Sequence, residues 1–130
     1  MKPNKLISIL FFFFLFINLA GMNANGQACK DIYNNALGNY NRGQFENINN
    51  ELNGCIADFN SNREAYRQSQ QGKDINAVFK VYKLIITSYR NLDKENLAVA
   101  KTNELIAFFA NKLTAQDVQG RLNNTQLAPM

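Results

Sequence analysis

Ile75, Val78, Phe79, Tyr82, Ile85, Ile86 and Tyr89 recur at intervals of three and four residues, the spacing that places side chains on one side of a 3.6-residue helix. A half-buried strand would alternate instead. Val81 to Thr87 reads Val-Tyr-Lys-Leu-Ile-Ile-Thr, β-favouring in composition, yet the helical period passes through it and continues on both sides. The run predicts a long amphipathic helix, and such a stripe has to be buried against other elements.

The other apolar stripes repeat this period. Ile32, Ala36 and Tyr40, with Tyr33 and Leu37 beside them, predict a helix over Cys29 to Asn41. Asn41-Arg42-Gly43 ends it, Gly43 being free to take the positive φ that a helix exit requires. From Gln44 the stripe resumes as Phe45, Ile48, Leu52, Cys55 and Ile56 and ends near Phe59. Ala98, Thr102, Leu105, Ile106, Phe109 and Leu113 form the last long stripe, entered through the turn Asn91-Leu92-Asp93-Lys94 with Asp93 as the expected N-cap. Thr114 and Asp117 have capping-box spacing for a short closing helix that carries Val118 and Leu122. Asn60 to Lys73 is polar and uneven, and reads as a linker with one helical turn capped by Ser61 and Glu64 and closed by Gly72. The expectation is an all-α domain over residues 27–122, made of antiparallel hairpins at 29–59 and 74–113 with linker 60–73, and a disordered tail over 123–130.

The N-terminus has a different character. Lys2 and Lys5 precede an apolar run from Leu6 to Ala20 broken only by Ser8 and Asn18. That is the anatomy of a secretory signal peptide, and it falls short of the roughly 20 apolar residues that a spanning helix needs. Ala24-Asn25-Gly26 offers small residues for cleavage, so residues 1–26 are expected to leave and Gln27 to become the mature N-terminus. The alternatives are an uncleaved anchor and a lipoprotein cut before Cys29, although Gly26 stands where a lipobox wants a bulky apolar side chain. Cleavage lowers the 14 Lys and Arg to 12 against 10 Asp and Glu, a net charge near +2. No basic stripe or nucleic-acid motif accompanies that charge, so nucleic acid is not an expected partner.

Two cysteines in an exported domain first suggest a bridge. Cys29 and Cys55 lie at similar chain distances on either side of Gly43, so antiparallel helices rising ~1.5 Å per residue bring both to the open end of the hairpin. Two buried free thiols, or a redox pair lacking Cys-x-x-Cys spacing, are the other readings.

Tyr33, Ala36, Tyr40, Gly43, Phe45, Ile48 and Leu52 resemble the tetratricopeptide pattern of small, aromatic and turn-glycine positions. Tyr82, Ile86, Tyr89, Asp93, Ala98, Thr102 and Leu105 form a second, looser copy, with Asp93 in place of the turn glycine. The separation of the two turns exceeds the family period of about 34 residues by roughly half a repeat. With the signal-like start, Tyr-Asn-Asn-Ala, Tyr-Asn-Arg-Gly-Gln-Phe and Tyr-Arg-Asn-Leu-Asp-Lys-Glu-Asn, the chain is similar to short exported tetratricopeptide-like proteins of Gram-negative bacteria. The resemblance implies a scaffold that holds another exported or envelope protein in the periplasm or at the cell surface. Fewer than three repeats implies completion by a partner, an oligomer or a staple. Because the first helix of each such hairpin lines a groove, the resemblance assigns partner binding to Tyr33, Leu37 and Tyr40 beside Lys80, Lys83, Thr87 and Arg90. The last four share one helical face opposite the apolar stripe and suit a peptide carboxylate or acidic segment; an ordinary solvated face is the alternative.

Histidine is absent, which removes the commonest general base and metal ligand. The carboxylates are scattered: Glu46 and Glu51 are five apart, and Asp93 and Glu95 sit in a turn. The expectation is a non-enzymatic interaction module with no catalytic residues, no metal and no cofactor; the main rival is a membrane-anchored assembly factor. An enzyme or small-ligand carrier would need an enclosed pocket with convergent polar groups.

Overall fold

The computed structural model describes residues 25–130. The expected signal peptide therefore lies outside the described residues except for its last two positions, Asn25 and Gly26. Among the described residues there are seven α-helices: α1 (Asn25–Asn41), α2 (Ile48–Glu51), α3 (Asn53–Ser61), α4 (Arg63–Arg67), α5 (Ile75–Asn91), α6 (Glu95–Phe108) and α7 (Ala115–Asn124). No strand occurs among the described residues, and none of their helices is long and apolar enough to cross a membrane.

Helix α5 is the hub and packs against every other described helix. Its predicted stripe is buried from Val78 to Ile86, with Ile75 and Tyr89 partly buried at its ends, but Val81, Leu84 and Ser88 on its flank are buried too. A single amphipathic stripe accounts for one covering neighbour; α5 has neighbours on more than one side, so only a narrow polar strip is left outside. Ser88 is accommodated because its Oγ donates to the Leu84 carbonyl at 2.7 Å.

Helices α5 and α6 run antiparallel. Phe79 stacks on Phe109 at 5.1 Å, the Tyr82 hydroxyl donates to Glu104 at 3.0 Å, and Arg90 meets Glu95 at 3.2 Å. Helices α1 and α3 are antiparallel as well: Asn39 donates to Glu51 just before the α2–α3 junction at 2.8 Å, and at the other end Cys29 and Cys55 form a disulfide with their Cα atoms 4.9 Å apart. Gly54 permits that approach, since a Cβ there would lie 3.3 Å from Ile32 Cδ1. The bridge closes the pair at its open end and supplements a modest core.

Both turns use one device. After α1, Gly43 has φ +77°, its N–H donates to Tyr40 O at 2.9 Å and Gln44 N–H donates to Asn39 O at 2.9 Å. After α5, Asp93 has φ +56°, its N–H donates to Arg90 O at 3.1 Å and Lys94 N–H donates to Tyr89 O at 2.9 Å. This is the Schellman pattern. Asp93 is thus not the N-cap of α6, as its type and place suggested; it fills the left-handed position that Gly43 fills in the first turn, and Lys94 stands at the cap.

The segment 60–73 is more ordered than a linker. Ser61 ends α3 and caps nothing; Asn62 precedes α4 without a side-chain cap. What holds α4 is Asp58, 5% exposed, which accepts from the Tyr66 hydroxyl and from Asn62 Nδ2 at 2.9 Å. Lys73 lies 3.8 Å from the same carboxylate and over the Tyr66 ring at 5.6 Å. A buried carboxylate needs such partners; here they tie the 68–74 turn down onto α3. Helix α6 ends at Phe108 instead of running on to Leu113, because Asn111 turns left-handed at φ +67°. At α7 the capping box forms: Thr114 Oγ1 accepts from Asp117 N–H at 3.1 Å, and Asp117 accepts from Thr114 N–H at 3.4 Å.

The expected disordered tail is also corrected. Residues 125–130 follow α7 as an extended segment laid back over the molecule, with Leu127 and Met130 packed against the core. Its terminal position suggested disorder; the long-range partners described next supply the order.

A candidate binding groove between α1 and α5

The polar strip of α5 consists of Asn76, Lys80, Lys83, Thr87, Arg90 and Asn91, all outside the buried set. Helix α1 packs beside α5, and the closing segment crosses the pair. Lys83 Nζ donates to Thr125 O at 2.7 Å and to Asn123 O at 3.1 Å, a cation on the last carbonyls of α7, where it also meets the negative end of the helix dipole. Lys80 Nζ donates to Pro129 O at 3.3 Å. From α1, the Tyr33 hydroxyl donates to Ala128 O at 3.0 Å. Asn34 uses both ends of its amide: Oδ1 accepts from Met130 N–H at 2.9 Å and Nδ2 donates to Met130 O at 3.4 Å.

Apart from the Lys83 bond to Asn123 O at the end of α7, all of these bonds go to main-chain atoms of the segment. Thr125 has φ −71° and ψ 131°, close to polyproline II, and Pro129 biases Ala128 away from helical backbone. An extended chain has carbonyls with no internal partner, and the groove supplies donors for them. Depressions flank the segment: one of about 420 Å³ bounded by Asn76, Lys80, Arg121 and Gln126, and one of about 340 Å³ bounded by Lys30, Ala77, Lys80 and Met130.

The residues assigned to partner binding thus occupy distinct positions. Lys80 and Lys83 hold the closing segment. Tyr33 is fully buried, its hydroxyl covered by the segment it donates to, and burial pushes that hydroxyl up to about 12 from 10.0. Leu37 is buried core and does not line an open groove. Tyr40 is half-buried against Phe45 at 5.2 Å, and its hydroxyl accepts from Asn91 Nδ2 at 3.3 Å, bridging α1 to α5. Thr87 turns back to its own helix, donating to Lys83 O at 2.7 Å. Arg90 is exposed beside Glu95 and borders a separate depression with Val99, Thr102 and Gln119.

Asn34 was missed. It sits in an Asn-Asn pair that periodicity treats as surface, and nothing local distinguishes it. Arg121, over the Phe79 ring at 5.4 Å, was missed for the same reason. Among the described residues no group of three metal-ligating side chains comes together. No known protein family, curated protein or solved structure matches this chain.

Proposed function

We propose that the chain is a non-enzymatic, tetratricopeptide-like adaptor that acts outside the cytoplasm and binds an extended segment of another exported or envelope protein along the α1–α5 face. One observation carries this reading: an extended segment lies across that face, its main-chain carbonyls capped by Tyr33, Asn34, Lys80 and Lys83. Side chains that satisfy a main chain in this way are suited to accepting a peptide whose own sequence matters little for the hydrogen bonds.

Two antiparallel helix pairs with matching Schellman turns at Gly43 and Asp93 support the repeat reading, with α1 and α5 as the paired first helices. The Cys29–Cys55 disulfide supports an oxidising compartment. A Cys29 thiol engaged with Cys55 is not free for acylation, which favours the unanchored form over the lipoprotein.

Photocrosslinking in intact cells tests the reading. A photoreactive residue at Asn76, on the groove, is expected to capture a discrete exported protein, and Lys83→Glu with Lys80→Glu is expected to suppress that capture. Equal capture from Ser61, at the end of α3 away from the groove, would count against it.

A further inference from the structure

Resting on the groove reading above, we propose that residues 125–130 are a resident occupant of the groove, and that its partners are extended peptides carrying two apolar side chains three residues apart, which displace this segment. The segment shows what the groove selects. The Thr125 hydroxyl bonds back to Arg121 O in α7; the hydrogen bonds that the segment makes with the groove all use its backbone atoms, so another extended chain on the same path makes the same bonds with Tyr33, Asn34, Lys80 and Lys83. Selectivity is left to Leu127 and Met130, the two side chains of the segment that pack against the core. A polyproline II chain turns once in three residues, and Thr125 opens the segment near those angles; the three-residue spacing of Leu127 and Met130 turns both toward the same wall. Between them Ala128 and Pro129 are exposed, and the missing N–H of Pro129 leaves no groove acceptor unpaired, because Met130 is the position whose N–H is used.

The segment is tethered directly to α7, with Thr125 as the pivot. A tethered occupant has a local concentration on the order of millimolar, so an incoming peptide binds with an affinity reduced by the fraction of chains whose groove is open. The flanking depressions of about 420 and 340 Å³ leave room for side chains larger than those of the resident.

The test uses the full chain and an acetylated, fluorophore-labelled peptide of residues 123–130, Asn-Asn-Thr-Gln-Leu-Ala-Pro-Met, followed by fluorescence anisotropy. The variant Leu127→Asp/Met130→Asp, whose own segment is loosened, is expected to bind the peptide at least tenfold more tightly than the wild type, and adding Lys83→Glu is expected to abolish the gain. A peptide with Asp at the Leu127 or Met130 position is expected to bind at least tenfold more weakly. Equal, Lys83-dependent affinity for wild type and variant would overturn the resident-occupant proposal while leaving the groove reading in place. Absence of binding to a variant whose segment exchanges freely with solvent would overturn the ligand pattern, and the Asn76 crosslink then decides separately whether the groove binds another protein. The wild type provides a readout without substitution: the amide resonances of Leu127 and Met130 are expected to move to random-coil positions as millimolar peptide is added. Resonances that stay in place would overturn the proposal even if the double variant failed to fold.

Discussion

Asn34 holds Met130 by both polar groups of its main chain, accepting from the N–H at 2.9 Å and donating to the carbonyl at 3.4 Å. One side chain of the first described helix thereby fixes the far end of the closing segment. Its removal should separate local from global stability. Asn34→Ala is expected to cost only about 1 kcal/mol in urea denaturation, while hydrogen exchange at Met130 accelerates to that of a frayed terminus. Asn34→Asp, which keeps the acceptor and loses the donor, is expected to fall between. Unchanged exchange at Met130 in Asn34→Ala would contradict the role assigned to this contact.

The disulfide joins residues separated by 26 positions. Closing a loop of that length restrains the unfolded chain by about 3 kcal/mol. Cys29→Ser/Cys55→Ser is expected to lower Tm by roughly 10–20 °C in a domain of this size. Calorimetry with and without reductant checks the same quantity on the unaltered chain, and an identical Tm in both would remove the staple from the account.

Asp93 occupies a left-handed backbone position at φ +56°. Asp93→Gly is expected to raise stability by about 0.5–1 kcal/mol, and Asp93→Val to lower it by about 1–2 kcal/mol, read as shifts of the urea midpoint at constant slope. If Asp93 were an N-cap, glycine would instead lower stability.

Alkaline pH should unfold the protein through its buried tyrosines. Burial pushes the Tyr33 hydroxyl up to about 12. Burial, reinforced by the Asp58 carboxylate, raises that of Tyr66, and burial with Glu104 nearby raises that of Tyr82. The unfolded chain releases these protons near pH 10 and the folded chain retains them. Their contribution is therefore complete below about pH 10; that of Tyr33 is lost as the pH rises through about 12, and those of Tyr66 and Tyr82, raised further, are lost at higher pH still. Tyrosinate absorbance at 295 nm from these three groups is expected to appear together with loss of helical circular dichroism, and Tyr33→Phe to make the decline shallower. Full ionisation of all tyrosines with intact helical signal would contradict this.

Much of this architecture was legible locally. The three-and-four spacing in α5, the positive-φ glycine after α1 and the Thr114–Asp117 capping box depend on residues within a turn of one another. Such interactions have the same meaning in any context. The Cys29–Cys55 bridge was legible at slightly longer range, because two helices around one turn leave few places for the sulfurs to meet. The polar 60–73 segment misled because what orders it is a buried carboxylate, Asp58, whose partners Tyr66 and Lys73 belong to later elements. Asp93 misled because Asp suits both an N-cap and a left-handed exit, and only the hydrogen bonds from Asp93 and Lys94 back to α5 decide between them.

The sequence by itself determined the long helices α1, α5 and α6, the exit from α1 at Gly43, the cap of α7 and the pairing of the cysteines, since each follows from side-chain period, capping chemistry or chain length. Only the tertiary structure decided what lies over the polar strip of α5. Lys80 and Lys83 read equally well as solvated lysines, and Thr-Gln-Leu-Ala-Pro-Met as a loose end. The bonds that unite them run from side chains to main-chain carbonyls, and every residue has a carbonyl. No pattern of side chains in the closing segment announces that it will be bound; the groove between α1 and α5 has to exist first.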